Sequence, residues 1–282
     1  MLSVEIVKKI EDFVYSKPRS IQEIAVYIGK NWRTADRYIE EIKKDLGTIE
    51  TRTFREGTRG ALKIVYWASV EKTRDSVFQE KLEKDIFNVK NKEDFSGFDI
   101  YQHVDDHKKQ AYAKEAENEV EMKRLDVFAK FLLSAKKQIL FFSGNLSFIN
   151  YKDEQADIFQ VLDTLAKKGI KMKVLCRVDI VGKENIKKLL SLNYKHGKEV
   201  IEIRHREQPL RLTIIDSHMF NMKEIKLPCM RVKELKKKMI IFYTIKDKNW
   251  VEWATKIFKR MFNESIGAKK RLEEVDKIFV KK

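Results

Sequence analysis

Apolar positions recur at helical spacing from the first residues. Val4, Ile6, Val7, Ile10, Phe13 and Val14 form one stripe, with Ser3 placed to cap it, so a helix is predicted over residues 3–17, ended by Pro18 and Arg19. Ser20-Ile21-Gln22-Glu23 has the form of a capping box: the serine hydroxyl takes one free amide and the glutamate reaches back for another. It opens a short helix with Ile21, Ile24, Ala25 and Ile28 on its inner side, ending near Gly29. Asn31 caps a third helix through residue 46, with Ala35, Ile39, Ile42 and Leu46 inward. Trp32, Arg33, Thr34, Arg37 and Tyr38 gather in its first two turns. Two strands, residues 49–55 and 61–67, flank the glycine-bearing turn Glu56-Gly57-Thr58-Arg59-Gly60 and predict a hairpin.

The pattern then weakens. Leu82, Ile86 and Val89 support one short helix, and residues 94–97 read as a break. From residue 98 to 136 there is neither Gly nor Pro and helix formers dominate, so a charged helical linker is expected. At residue 138 the periodicity changes again. Strands are expected at 139–143, 171–175, 200–204, 210–216, 220–223 and 239–245. Helices are expected from Ile158 to Leu165, over 185–192 and over 250–262, where Val251, Ala254, Ile257, Phe258 and Met261 share a face. Strands alternating with helices argue for an α/β sheet covered on both faces.

Charge changes the picture. The 282 residues hold 59 Lys and Arg against 43 Asp and Glu, a net of +16, which points to a polyanionic partner. Residues 1–75 carry +3, residues 76–133 carry −3, and residues 134–282 carry the whole excess. Cys176 and Cys229 make no disulfide framework and read as reduced thiols. No apolar run is long enough to span a bilayer, and no signal core opens the chain, so a soluble cytoplasmic protein without membrane partner is expected. His103 and His107 stand four apart, as two ligands on one helix face would, but no Glu or Cys completes a metal motif. No metal and no cofactor is assigned.

The order helix, short helix, turn, helix, hairpin resembles a winged helix-turn-helix, and SIQEIAVYIGKNWRTADRYIEEIKKDLGTIETR is close to the pattern of many archaeal and bacterial winged-helix regulators. The resemblance implies double-stranded DNA as partner, with the start of the third helix in the major groove. Trp32, Arg33, Thr34, Arg37 and Tyr38 would lie nearest the bases and phosphates. Arg52, Arg55 and Arg59 would bring the wing to the backbone, and Ser20 at its helix start would meet a phosphate.

AKKQILFFSGN, LDTLAKKGIKMKVLCR, EIRHREQPLRLTIIDSHMFNMKE and MIIFYTIKDKNWVEWATKIFKRMF look like the phospholipase D-like domain of archaeal TrmB-type regulators. An active domain of that kind needs H-x-K-x4-D. Counting back from Asp216 puts Arg211 at the lysine position and Pro209 at the histidine position, and proline offers no nucleophile. The resemblance therefore implies an inactive domain that forms a homodimer, its cleft either retained as an anion or ligand pocket around Ser143, Asn145, Arg211 and Asp216 or filled as plain core.

The expected fold class is α/β: a winged helix-turn-helix over residues 1–72, a charged helical linker over 73–133, a phospholipase D-like α/β sandwich over 134–265, and a basic tail or helix over 266–282. The expected function is a sequence-specific DNA-binding transcription regulator, not an enzyme, with the inactive domain as the place to sense a small anionic ligand. Two alternatives stand beside it: a nuclease using His205, Arg211, Asp216 and His218, and an adaptor that binds DNA with little sequence preference.

Overall fold

The computed structural model describes residues 2–55, 61–68, 75–116, 125–228 and 237–280. Helix α1 (Val4–Ser16) starts where the Ser3 hydroxyl accepts the Ile6 amide. Strand β1 (Arg19–Ser20) was not expected and pairs with the hairpin. Helix α2 (Ile21–Ile28) has the full capping box and ends at Gly29, whose φ of 68° is the left-handed conformation that glycine tolerates. Helix α3 (Trp32–Asp45) is capped by Asn31. Leu46, expected to face inward, is the C-cap and is exposed. Strands β2 (Ile49–Arg55) and β3 (Ala61–Trp67) form the wing in an order β1-β3-β2, and the turn between them lies outside the described residues. Ile10, Val14, Ile24, Ala35, Ile39, Ile42 and Val65 form the core of this unit.

The middle segment departs from the linker helix expected of it. Helices α4 (Asp75–Asn88) and α5 (Gly97–His103) are present, but the next element is strand β4 (Lys109–Ala116). Its residues pair in full register with strand β10 of the main sheet, from Lys109↔Ile245 to Ala116↔Lys238. Alanine, lysine and glutamate favour helix locally, yet a complete ladder on a waiting sheet edge outweighs that preference. His103 ends α5 and stacks near Phe78 at 3.6 Å between ring centroids, while His107 sits in a separate 3-10 turn, so the shared helix face does not form.

The remaining elements are α6 (Leu125–Leu133), β5 (Gln138–Phe142), α7 (Ile158–Lys167), β6 (Lys171–Cys176), α8 (Lys183–His196), β7 (Ile201–His205), β8 (Leu212–Ile215), β9 (Met219–Lys226), β10 (Lys238–Ile245), α9 (Lys248–Asn263), β11 (Ile266–Gly267) and α10 (Ala268–Val280). The sheet runs β11-β7-β6-β5-β8-β9-β10-β4. β5, β6 and β7 are parallel, and the other pairs are antiparallel. Leu162, Leu165, Ile186 and Leu189 cover one face from α7 and α8, and Trp250, Ile257, Phe258 and Met261 cover the other from α9. This is the expected α/β arrangement.

The wing belongs to the second of these cores. Phe54, Leu62 and Ile64 are buried with Phe98 and Tyr101 of α5 and with Tyr243 of β10. The Phe54 ring meets Phe98 and Tyr243 edge-on, at 6.3 and 6.4 Å. Gly97 is required there, because a Cβ would come within 2.9 Å of the Tyr243 ring. A buried polar chain adds to the join. Tyr243 donates to Glu224 at 3.1 Å, Lys226 pairs with Glu224 at 3.2 Å and with Glu23 of α2 at 3.1 Å, and Glu23 accepts the Ser20 amide at 2.8 Å. Burial opposes the Lys226 charge, but Glu224 and Glu23 outweigh it and hold its pKa above the ordinary lysine value. No helix of the described residues is long and apolar enough to cross a membrane.

Candidate nucleic-acid interface and cationic cleft

The first two turns of α3 separate cleanly by face. Ala35 and Ile39 are buried, Trp32, Thr34 and Tyr38 are half-buried, and Arg33 and Arg37 are exposed. Each arginine lies beside a ring of its own helix: Arg33 is 5.7 Å from the Trp32 centroid and Arg37 is 5.4 Å from that of Tyr38. The helix also carries Asp36 and Glu40, which would otherwise cancel this charge. Lys63 of β3 binds both carboxylates, Asp36 at 2.5 Å and Glu40 at 3.0 Å. The arginines are thus left with a net positive face turned to solvent.

The other residues expected at a nucleic acid do not all join them. Ser20 is fully buried, its hydroxyl accepts the Glu23 amide and its own amide is taken by the Glu23 carboxylate. A phosphate has no access there, because the capping box already satisfies the helix start and Lys226 packs beside it. Arg52 is exposed but leans on the wing junction, 5.1 Å from the Tyr101 ring and 5.9 Å from Phe54. Arg55 is the last residue of β2, its side chain lies outside the described residues, and so does Arg59 altogether.

A cleft of about 540 Å³ opens at the C-terminal end of β5. Ser143, Asn145 and Arg211, expected together, all line it. Lys92, which no sequence feature marked, reaches in from the segment between α4 and α5. Its ammonium donates to the Leu210 carbonyl at 2.6 Å and lies 3.5 Å from the Ser143 carbonyl. Burial pushes it well below the ordinary lysine range, and the nearby Arg211 and Arg177 charges push the same way. Among the described residues Arg177 pairs with Asp179, Arg206 with Glu264 and Arg211 with Glu93. Gln208 donates to the Ser143 carbonyl at 3.0 Å and accepts the Leu210 amide at 2.6 Å, which fixes the loop ahead of β8.

Asp216 is not part of this cleft. It stands at the far end of the sheet, with φ of 49°, and its carboxylate accepts the amides of Lys136, Lys137 and Gln138 at 2.8–2.9 Å. Burial works against its charge, yet those amides outweigh it and hold the pKa below the usual range. The antiparallel β5–β8 pairing explains the separation: Leu212 faces Phe142 at the cleft end and Ile215 faces Ile139 at the other. His218 is exposed beside Asp216, away from Arg211. His205 accepts the Val178 amide on Nδ1 at 2.9 Å, and burial together with Arg271 lowers its pKa. The four residues of the nuclease alternative are therefore divided between two ends of the sheet. Pro209 is buried next to Leu210. Cys176 is fully buried, which pushes its thiol up to about 12, and Cys229 lies outside the described residues.

No protein-family model matches this chain, and no curated protein does. Among solved structures it is similar to TrmBL2, an archaeal chromatin protein with a novel mode of DNA binding, at 14% identity over 94% of each chain and a TM-score of 0.35. It is also similar to Nuc, a phospholipase D family member from Salmonella typhimurium, at 14% identity over 56% of this chain and 97% of that one, with a TM-score of 0.37. NucT from Helicobacter pylori gives 13% identity, 56% and 99% coverage, and a TM-score of 0.37. Likenesses this faint carry no argument about what the chain binds or does, so its function has to be read from its own residues.

Proposed function

We propose that this chain is a sequence-specific DNA-binding regulator that reads double-stranded DNA with α3 and performs no phosphodiester chemistry. The observation that carries the reading is the Arg33–Arg37 face, kept cationic because Lys63 draws Asp36 and Glu40 aside. Arginines one turn apart at the start of an exposed helix suit base edges and flanking phosphates. Pro209 at the nucleophile position and the wide separation of His205 from His218 support the absence of catalysis. Two copies acting as a homodimer would place two such helices on the half-sites of a palindromic operator.

The test is selection of bound sequences from a random duplex pool, followed by titration of the winning duplex. Replacing Arg33 and Arg37 by Ala is expected to weaken that duplex by about 1–3 kcal/mol for each base-reading arginine. Unchanged affinity in the double variant would remove α3 from the interface. The adaptor reading draws on a different observation, the excess charge of residues 134–282. Selection that returns no motif, with an affinity that falls steeply in salt, would favour it.

A further inference from the structure

We infer that the cleft at the end of β5 binds a nucleoside monophosphate, with its phosphate held between Lys92 and Arg211 and its base against the aromatic wall. Three observations carry this, and none depends on DNA binding by α3.

The first is charge. Among the described residues that line the cleft, seven are Lys or Arg and two are Glu. Lys92 is the informative one. Its ammonium is held by carbonyl oxygens and has no carboxylate within 4.0 Å among the described residues; burial first, and the neighbouring Arg211 and Arg177 after it, disfavour its charge. A cation placed among cations is costly unless an anion joins them. A phosphate monoester offers that anion, with three oxygens able to accept from an ammonium and a guanidinium together.

The second is a resident competitor. Arg211 is occupied by the Glu93 carboxylate at 3.3 Å, and Glu93 is largely solvent-exposed. An exposed carboxylate at that distance is a weak partner that an incoming phosphate displaces at little cost. Glu93 follows Lys92 directly in the chain, so both the bait and the stand-in come from one short segment.

The third is size and composition. About 540 Å³ is far more than a lone phosphate occupies and is in the range of small-molecule sites. Aromatic rings line the cleft as well, one group beside β5 and another on β10 and β4. Phe148 lies 5.2 Å from Phe141 and 6.1 Å from Phe128, and Tyr112 stacks on Phe242 at 4.9 Å. Flat rings beside a phosphate subsite fit a nucleobase better than a sugar or a flexible acyl chain.

Calorimetric titration of the full chain with adenosine monophosphate, inorganic phosphate and adenosine tests the assignment. Adenosine monophosphate is expected to bind, inorganic phosphate to bind more weakly, and adenosine weakest of all. Lys92→Met is expected to weaken adenosine monophosphate by roughly tenfold or more, the loss of one charged hydrogen bond. Glu93→Gln frees Arg211 and is expected to tighten binding, a gain that misfolding does not produce. Equal binding of adenosine and its monophosphate, or wild-type affinity in Lys92→Met and Glu93→Gln alike, would overturn the proposal. So would a short single-stranded oligonucleotide that binds through Lys92 while the mononucleotide does not.

Discussion

Asp216→Asn gives the sharpest separation between a residue that builds the sheet and one that serves a ligand. The carboxylate receives Lys137 and Gln138 on Oδ1 and Lys136 on Oδ2. Asparagine tolerates the left-handed backbone here and can keep its Oδ1 for two of those amides. Its amide nitrogen then faces the Lys136 N–H, donor against donor. One charge-assisted bond is lost, at about 1.5–3 kcal/mol, and the two that remain become neutral and weaker. The sum is about 2–4 kcal/mol, or a fall in Tm of roughly 3–7 °C. Urea unfolding followed by circular dichroism measures it. Because the folded pKa of Asp216 is depressed, its contribution is complete above the unfolded carboxylate pKa and is lost as pH falls through the folded value. The difference between wild type and variant should therefore be constant at neutral pH and close in acid. A loss below 1 kcal/mol, or normal stability combined with loss of adenosine monophosphate binding, would refute the placement of Asp216 as a backbone anchor.

Two further outcomes follow from the junction between wing and sheet. Phe54→Ala should cost about 3–5 kcal/mol and lower a single calorimetric transition as a whole; a separate early melt of the N-terminal unit would show that the two cores are independent. Asp99 of α5 is pushed up to about 8 by burial and by the Glu224 carboxylate, so the folded chain keeps a proton there that the unfolded chain loses above pH 4. Asp99→Asn should consequently stabilise the protein at pH 7 and gain progressively less toward pH 4, and an equal effect at both pH values in thermal melts would contradict this.

The N-terminal elements were legible because their signals are local. Ser3, the Ser20–Glu23 box and Asn31 each act within one helical turn, and all three form as read. Strand β4 was not legible, because Lys109–Ala116 becomes a strand only through an eight-residue ladder with β10, far along the chain. The cleft shows the same division. Ser143, Asn145 and Arg211 flank strands whose pattern was clear, whereas Lys92 enters from a polar stretch with no periodicity and is found only where it meets the Leu210 carbonyl. Asp216 was misplaced because a motif gives spacing and not direction: four residues of β8 carry it to the opposite end of the sheet from Arg211. Ser20 was misread in another way, since its capping role was recognised but not that the role uses up the groups a phosphate would need.

The burial of Phe54, Leu62 and Ile64 against Tyr243 has a consequence for how the chain is made. The wing ends at Trp67, and β10 begins only at Lys238. At synthesis rates of about 5–20 residues per second, roughly ten seconds or more pass between them. For most of that interval the inner face of the wing has Phe98 and Tyr101 of α5 to pack against but not Tyr243, and β4, once made, lacks the strand it pairs with. The nascent protein therefore passes through a stage in which its helix-turn-helix core is closed while its hairpin is only partly covered, and the arrival of β10 removes that hazard.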